Sequence, residues 1–248
     1  MTSHSKIITN ETNLESMDSN WKGLYKISGA AALILLVYSV VTMIILIAIG
    51  GQPKTAQEGF TLLQNNRLTG LLRLDVLSIL VLPLYYLLFL ALYIALKKTD
   101  GAYALLAAVL AFAGLTLFLA TPSAFSWLAL SDKFVAATSE AQRVQLLAAG
   151  EAILASDMWH GSGAIMGGIL LQTGTLLISV VMLWSKTFGK VIAYIGILMH
   201  GFDLAHLLVG LFFPMGGVIL MAIAGPLYLI WFPLLARDFF RLSRDSKE

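Results

Sequence analysis

Six stretches of the chain stay apolar for about the 20 residues that a helix needs to cross roughly 30 Å of hydrocarbon. They run from Ile27 to Ile49, Val76 to Leu96, Ala102 to Ala120, His160 to Trp184, Val191 to Phe213 and Val218 to Leu235. No soluble fold of 248 residues has enough interior to hide them: 58% of the residues are hydrophobic and only 12% are charged, against roughly 25% charged in ordinary globular domains. The expected fold class is therefore all-α, a polytopic membrane bundle of about six transmembrane helices. Pro83 is expected to kink the second span, and Pro226 and Pro233 the sixth.

Loop charges give the direction. Lys22 and Lys26 precede the first span, Lys97 and Lys98 follow the second, Lys186 and Lys190 follow the fourth, and Arg237, Arg241, Arg244 and Lys247 follow the sixth. An even number of spans puts all four segments on one side. The opposite side carries a net acidic loop from Ser123 to Asp157 and an uncharged turn at Pro214-Met215-Gly216-Gly217, with Lys54 and Arg67 as exceptions. The positive-inside rule then places both termini in the cytoplasm. Residues 1–20 read as a mobile polar tail, 21–240 as the membrane domain and 241–248 as a basic C-terminal tail. The first apolar stretch is too long for a signal-peptide core, so no cleavable leader is expected. Trp159 and Trp184 bracket the fourth span as an aromatic belt would. Ser139 with Gln142 reads as a capping box opening a helix in the long outer loop, lying on the membrane surface or packed over the bundle mouth.

A net charge of +2 gives no footprint for nucleic acid, and the absence of cysteine excludes disulfides, thiolate metal sites and thiol catalysis. Chemistry has to come from ionisable groups inside the spans. The fifth span holds three, in Leu198-Met199-His200-Gly201-Phe202-Asp203-Leu204-Ala205-His206. A carboxylate at that depth is expensive facing lipid, so Asp203 is expected to turn inward. Positions three apart are neighbours on a helix, which puts both His200 and His206 within its reach as a proton relay or ligand site. Asp75, at the start of the second span, joins this group, and with His160, Asp203 and His206 it falls in the outer half of the membrane. An outward-facing polar site follows. Asp157 and His160 repeat the Asp-x-x-His spacing, so His160, His206 and Asp157 are the candidate metal ligands. Gly163-Ala164-Ile165-Met166-Gly167 is a small-xxx-small motif for close helix packing.

The span spacing from Leu24 to Arg237, with Asn65-Asn66-Arg67 before the second span and a long loop before the fourth, resembles a group of uncharacterised six-span bacterial membrane proteins that share a domain of unknown function. His160, His200, His206, Asp203 and Ser162 also resemble, in residue type, the zinc site of the membrane hydrolase superfamily that includes alkaline ceramidases and adiponectin receptors. That second resemblance implies a metal-dependent hydrolase, although the superfamily has seven spans and a closer pair of histidines. Three functions therefore stand open. The leading one is a small transporter, sensor or accessory subunit with an outward-facing His/Asp site, taking a small-molecule or lipid ligand. The second is a hydrolase holding a divalent metal. The third is a haem b protein with one imidazole from span four and one from span five. Membrane lipid is the expected surrounding partner, and an oligomer or larger membrane complex remains open.

Overall fold

The computed structural model describes residues 21–158 and 160–245. The polar tail 1–20, Trp159 and Lys247 lie outside the described residues. Six helical segments are long and apolar enough to cross a membrane, and the architecture is an all-α polytopic bundle.

Eleven helices occur among the described residues: α1 (Lys22–Ile49), α2 (Ala56–Asn65), α3 (Arg67–Arg73), α4 (Val76–Val81), α5 (Leu84–Leu96), α6 (Gly101–Leu119), α7 (Ala124–Ala136), α8 (Glu140–Ala155), α9 (Ser162–Trp184), α10 (Lys190–Gly210) and α11 (Pro214–Asp245). The second span is split into α4 and α5 around Leu82-Pro83, where the proline ring cannot continue the ladder. In the last span the prolines act differently: α11 runs uninterrupted through both Pro226 and Pro233. Pro214 is the first residue of α11, where a missing N–H is no loss, so the reversal lies at Leu211-Phe212-Phe213 and not at Pro214 to Gly217 as expected. The helix also extends to Asp245, ten residues past the expected end at Leu235.

The spans close into a ring. Each packs against its neighbour in the chain, α1 on α4–α5, α5 on α6, α6 on α9, α9 on α10 and α10 on α11, and α11 returns to α1. The tightest seam is α6 against α9, where backbone meets backbone. A Cβ on Gly114 would stand 2.3 Å from Leu171 N and 2.5 Å from the Gly167 carbonyl, and one on Gly174 would stand 2.6 Å from the Ala107 carbonyl. Gly167 is similarly closed, at 2.8 Å from the Gly114 carbonyl, whereas Gly163 would meet only the Thr121 methyl at 3.2 Å. The close approach therefore uses Gly167 with Gly174, and the Gly163 half of the small-residue motif has little part in it.

One end of the ring is basic. Lys97 lies 5.5 Å from the centre of the Trp21 ring, Tyr25 stacks on Phe239 at 6.2 Å, and Arg241 donates to the Thr187 carbonyl, so the Lys22, Lys97, Lys186 and Arg241 segments meet there. The other end is capped by α2, α3, α7 and α8, in segments the sequence reading left mostly as loops. Their starts are locally encoded: Thr55, Asn66 and Ser139 accept from the N–H groups of Glu58, Thr69 and Gln142 at 3.1, 3.0 and 3.3 Å. The expected capping box is closed one residue early, because Gln142 Oε1 accepts from Thr138 N and not from Ser139 N. The cap has its own core of Ala56, Phe60, Leu63, Leu74, Ala124 and Trp127. Phe60 meets the Trp127 ring edge-on at 5.6 Å, and a Cβ on Gly59 would lie 2.4 Å from that ring. α8 packs on α2 and α7, with Glu151 Oε1 accepting from Ala56 N at 2.7 Å.

Candidate functional site

Three adjacent spans aim polar side chains at one point in the bundle. α10 contributes His200 and Asp203, α9 contributes Gln172 and α11 contributes Tyr228. The Tyr228 hydroxyl donates to Asp203 Oδ2, and Gln172 Nε2 donates to the same oxygen at 3.2 Å. The amide faces both ways: Gln172 Oε1 lies 2.8 Å from His200 Nδ1 and 3.3 Å from Thr175 Oγ1. Gln172, Asp203 and Tyr228 thus form a fully hydrogen-bonded unit in which His200 is the terminal member. The α9 backbone positions Gln172 at the middle of its 23-residue helix, so the unit sits deep in the apolar layer.

This network sets the state of His200. The amide presents its NH2 to Asp203 and its oxygen to the imidazole. Nδ1 then carries the proton, and Nε2 holds a lone pair. That Nε2 is buried and has no hydrogen-bond partner among the described residues. Leaving such an atom unpaired in a protein interior costs on the order of 1–3 kcal/mol. The ring is packed edge-on against Trp231 at 5.3 Å and Tyr228 at 6.0 Å, which holds it in place. The indole Nε1 of Trp231 is likewise buried without a partner among the described residues. Gly196, one turn before His200, keeps this corner polar: a Cβ there would stand 2.5 Å from Ser179 Oγ and 2.9 Å from Trp231 Nε1.

The expected neighbours of Asp203 are placed differently. Neither imidazole bonds directly to Asp203 among the described residues. His200 reaches it through Gln172, and His206 turns Nδ1 toward the Gly217 carbonyl at 3.2 Å while remaining in electrostatic range of the carboxylate. Asp75 has turned inward, as its depth demanded, but toward α1: Tyr38 donates to Asp75 Oδ2 at 2.7 Å. Asp75 has φ 50°, the one positive φ outside glycine among the described residues, and its carbonyl accepts from the Ser78 hydroxyl at 2.7 Å. Such a left-handed residue is costly away from glycine, and aspartate is among the side chains that bear it best.

Asp157 and His160 form a separate pair. They occupy the turn between α8 and α9, so this Asp-x-x-His, unlike the one in α10, is not carried on a helix. Asp157 Oδ1 lies 3.0 Å from both the backbone N and the Nδ1 of His160, in a local turn whose imidazole is 59% exposed. No three His, Cys, Asp or Glu side chains among the described residues gather closely enough to hold a metal ion. His160, His206 and Asp157 are therefore not assembled as a ligand set. Arg73 pairs with Glu58 at 3.0 Å and donates to the Gly51 carbonyl at 2.6 Å.

Gln172 and Tyr228 are the members that sequence reasoning missed. Gln172 is the single glutamine in α9, a costly side chain among Leu170, Leu171 and Gly174, and that isolation was the available signal.

No protein-family model matches the chain, and no curated protein and no solved structure matches it either.

Proposed function

We propose that this is a multi-pass protein of the bacterial plasma membrane with both termini cytoplasmic, and that it is a small transporter whose working group is Asp203. The observation that carries the reading is the carboxylate held at mid-bundle by donors from two other spans, with His200 joined to it through Gln172. An intramembrane acid is expensive to keep and persists where a charge or proton must be carried. Tyr228 and Gln172 keep donors on Asp203 Oδ2, so the carboxyl can lose a proton and remain hydrogen-bonded. The basic rim supports a cytoplasmic placement of that end, which leaves the capped end outside. The resemblance to uncharacterised six-span bacterial proteins is kept as part of the same proposal.

The test is proton movement in pyranine-loaded proteoliposomes under an imposed potassium diffusion potential. The unmodified protein is expected to acidify or alkalinise the lumen faster than empty vesicles. Asp203→Asn, which keeps shape and most hydrogen bonding, is expected to fold normally and lose that flux. Equal flux from both proteins removes Asp203 from the mechanism.

A further inference from the structure

At the basic end, the turn between α9 and α10 and the last turns of α11 border an open crevice of about 440 Å³, lined by Lys186, Thr187, Phe188, Gly189, Arg241 and Leu242. Arg241 is held rather than loose. It donates to the Thr187 carbonyl, and its Nη1 lies 3.6 Å from Asp238 Oδ1. Asp238 is fully buried and also takes Arg237 at 3.1 Å, so one carboxylate orders two guanidinium groups. Counting Lys186, Lys190, Arg237 and Arg241 against Asp238, the surroundings of the crevice remain strongly cationic.

Its position limits what can enter. Trp184, at the end of α9, is exposed and meets the Tyr103 ring edge-on at 6.4 Å, an aromatic pair of the kind that marks a headgroup level. Directly beyond it, Val191, Tyr194 and Leu198 form an exposed apolar stripe along one side of α10, at spacings of three and four residues. The stripe begins two residues after Gly189 of the crevice lining, so a cationic crevice at the rim is followed along the chain by an exposed apolar face on the spanning helix. An anionic phospholipid has that same order of parts: a phosphate that needs ordered cations and acyl chains that need an apolar track.

We infer that the Lys186–Arg241 crevice is a binding site for an anionic phospholipid, its phosphate between the two side chains and an acyl chain along Val191, Tyr194 and Leu198. Arginine suits the phosphate because its fixed fork can offer paired N–H groups, and Asp238 keeps that fork in position. The site is separate from Asp203 and stands whatever becomes of the transport reading.

The full chain, purified in a neutral detergent, is offered phosphatidylglycerol and phosphatidylcholine, and retained lipid is read by native mass spectrometry. The unmodified protein is expected to retain phosphatidylglycerol in preference. Lys186→Gln should lower that preference roughly five-fold, the factor expected for one cation at a membrane surface, while Lys97→Gln on the same rim should leave it unchanged. Arg241→Gln should lose at least as much, and because that variant also loses the Thr187 tie, the exposed Lys186 change carries the decision. Inorganic phosphate at millimolar concentration should not displace the lipid. Equal losses from Lys97→Gln and Lys186→Gln would show diffuse attraction to the rim and overturn the site. Displacement by phosphate alone, or no preference between the two lipids, would also overturn it.

Discussion

Gln172 stands between Asp203 and His200, its Nε2 3.2 Å from the carboxylate and its Oε1 2.8 Å from the imidazole Nδ1. A neutral amide is thereby the connection between the two ionisable groups of α10 that lie only three residues apart. Gln172→Leu removes both contacts at once and leaves His200 Nδ1 buried without its acceptor. The expected loss is on the order of 1–3 kcal/mol. It should be visible as a lowered Tm in detergent, and an unchanged Tm would mean that the network forms no stabilising unit.

The same geometry ranks the histidines. His200→Ala is expected to reproduce the flux loss of Asp203→Asn, because it takes away the far end of one hydrogen-bonded chain. His206→Ala, which loses a bond to the Gly217 carbonyl, is expected to do less. Spacing alone does not rank them, since each stands three residues from Asp203. Flux measurements on the two variants in matched proteoliposomes decide between them.

Packing gives a sharper contrast. Gly167→Leu places a side chain where the Gly114 carbonyl and Phe118 N already lie 2.8 Å from a Cβ, so loss of folded monomer on size exclusion is expected. Gly163→Leu, with a single methyl at 3.2 Å to displace, should remain monodisperse. Similar yields of folded protein from the two would remove the seam from the account.

Acid should loosen the cap before the bundle. Lys54 N donates to Glu58 Oε2 at 2.9 Å, and Arg73 pairs with the same carboxyl, and these hold Glu58 below its ordinary value of 4.5. A depressed folded value contributes stability above the unfolded one, and that contribution disappears as pH falls through the folded value. Hydrogen exchange in residues 54–65 should therefore rise on acidification below about pH 4.5 in the unmodified protein. Glu58→Gln should already show the faster exchange at neutral pH and little further change. An acid response as large in Glu58→Gln would point to another group.

Topology has its own test. Reporter fusions after Lys98 and Lys190 are expected to report cytoplasm, and fusions near Gln57 and Glu140 the outside. A cytoplasmic signal at Glu140 would invert the proposed orientation and the sidedness of the transport reading.

How far the sequence could be read depended on which force sets each feature. Span two was found at Val76 to Leu96, its bounds in the structure, because hydrocarbon thickness sets the length of an apolar run. The end of α11 escaped because Arg237, Asp238, Arg241 and Arg244 are good enough in a helix that leaves the apolar layer, and hydropathy does not report helix propensity. The cap escaped because its core is shared among four short helices. Phe60 and Leu63 acquire their meaning only when Trp127, more than 60 residues away, packs on them. In the site, Asp203 was legible through the expense of its charge, and its inward turn was expected on that ground. Gln172 and Tyr228 were not, since neither is ionised at neutral pH and each owes its role to a helix other than its own.

The glycine seam between α6 and α9 also governs how the bundle can move. Facing backbones with no side chains between them leave nothing to re-rotamer and little to slide, so the two helices form a single stiff strut. Between α9 and α10, by contrast, the contact runs through side chains, as where a Cβ on Gly168 would meet the Leu207 methyl at 2.8 Å. Any displacement at the Asp203 network is therefore expected at the α9–α10 contact, with α10 shifting against a fixed post.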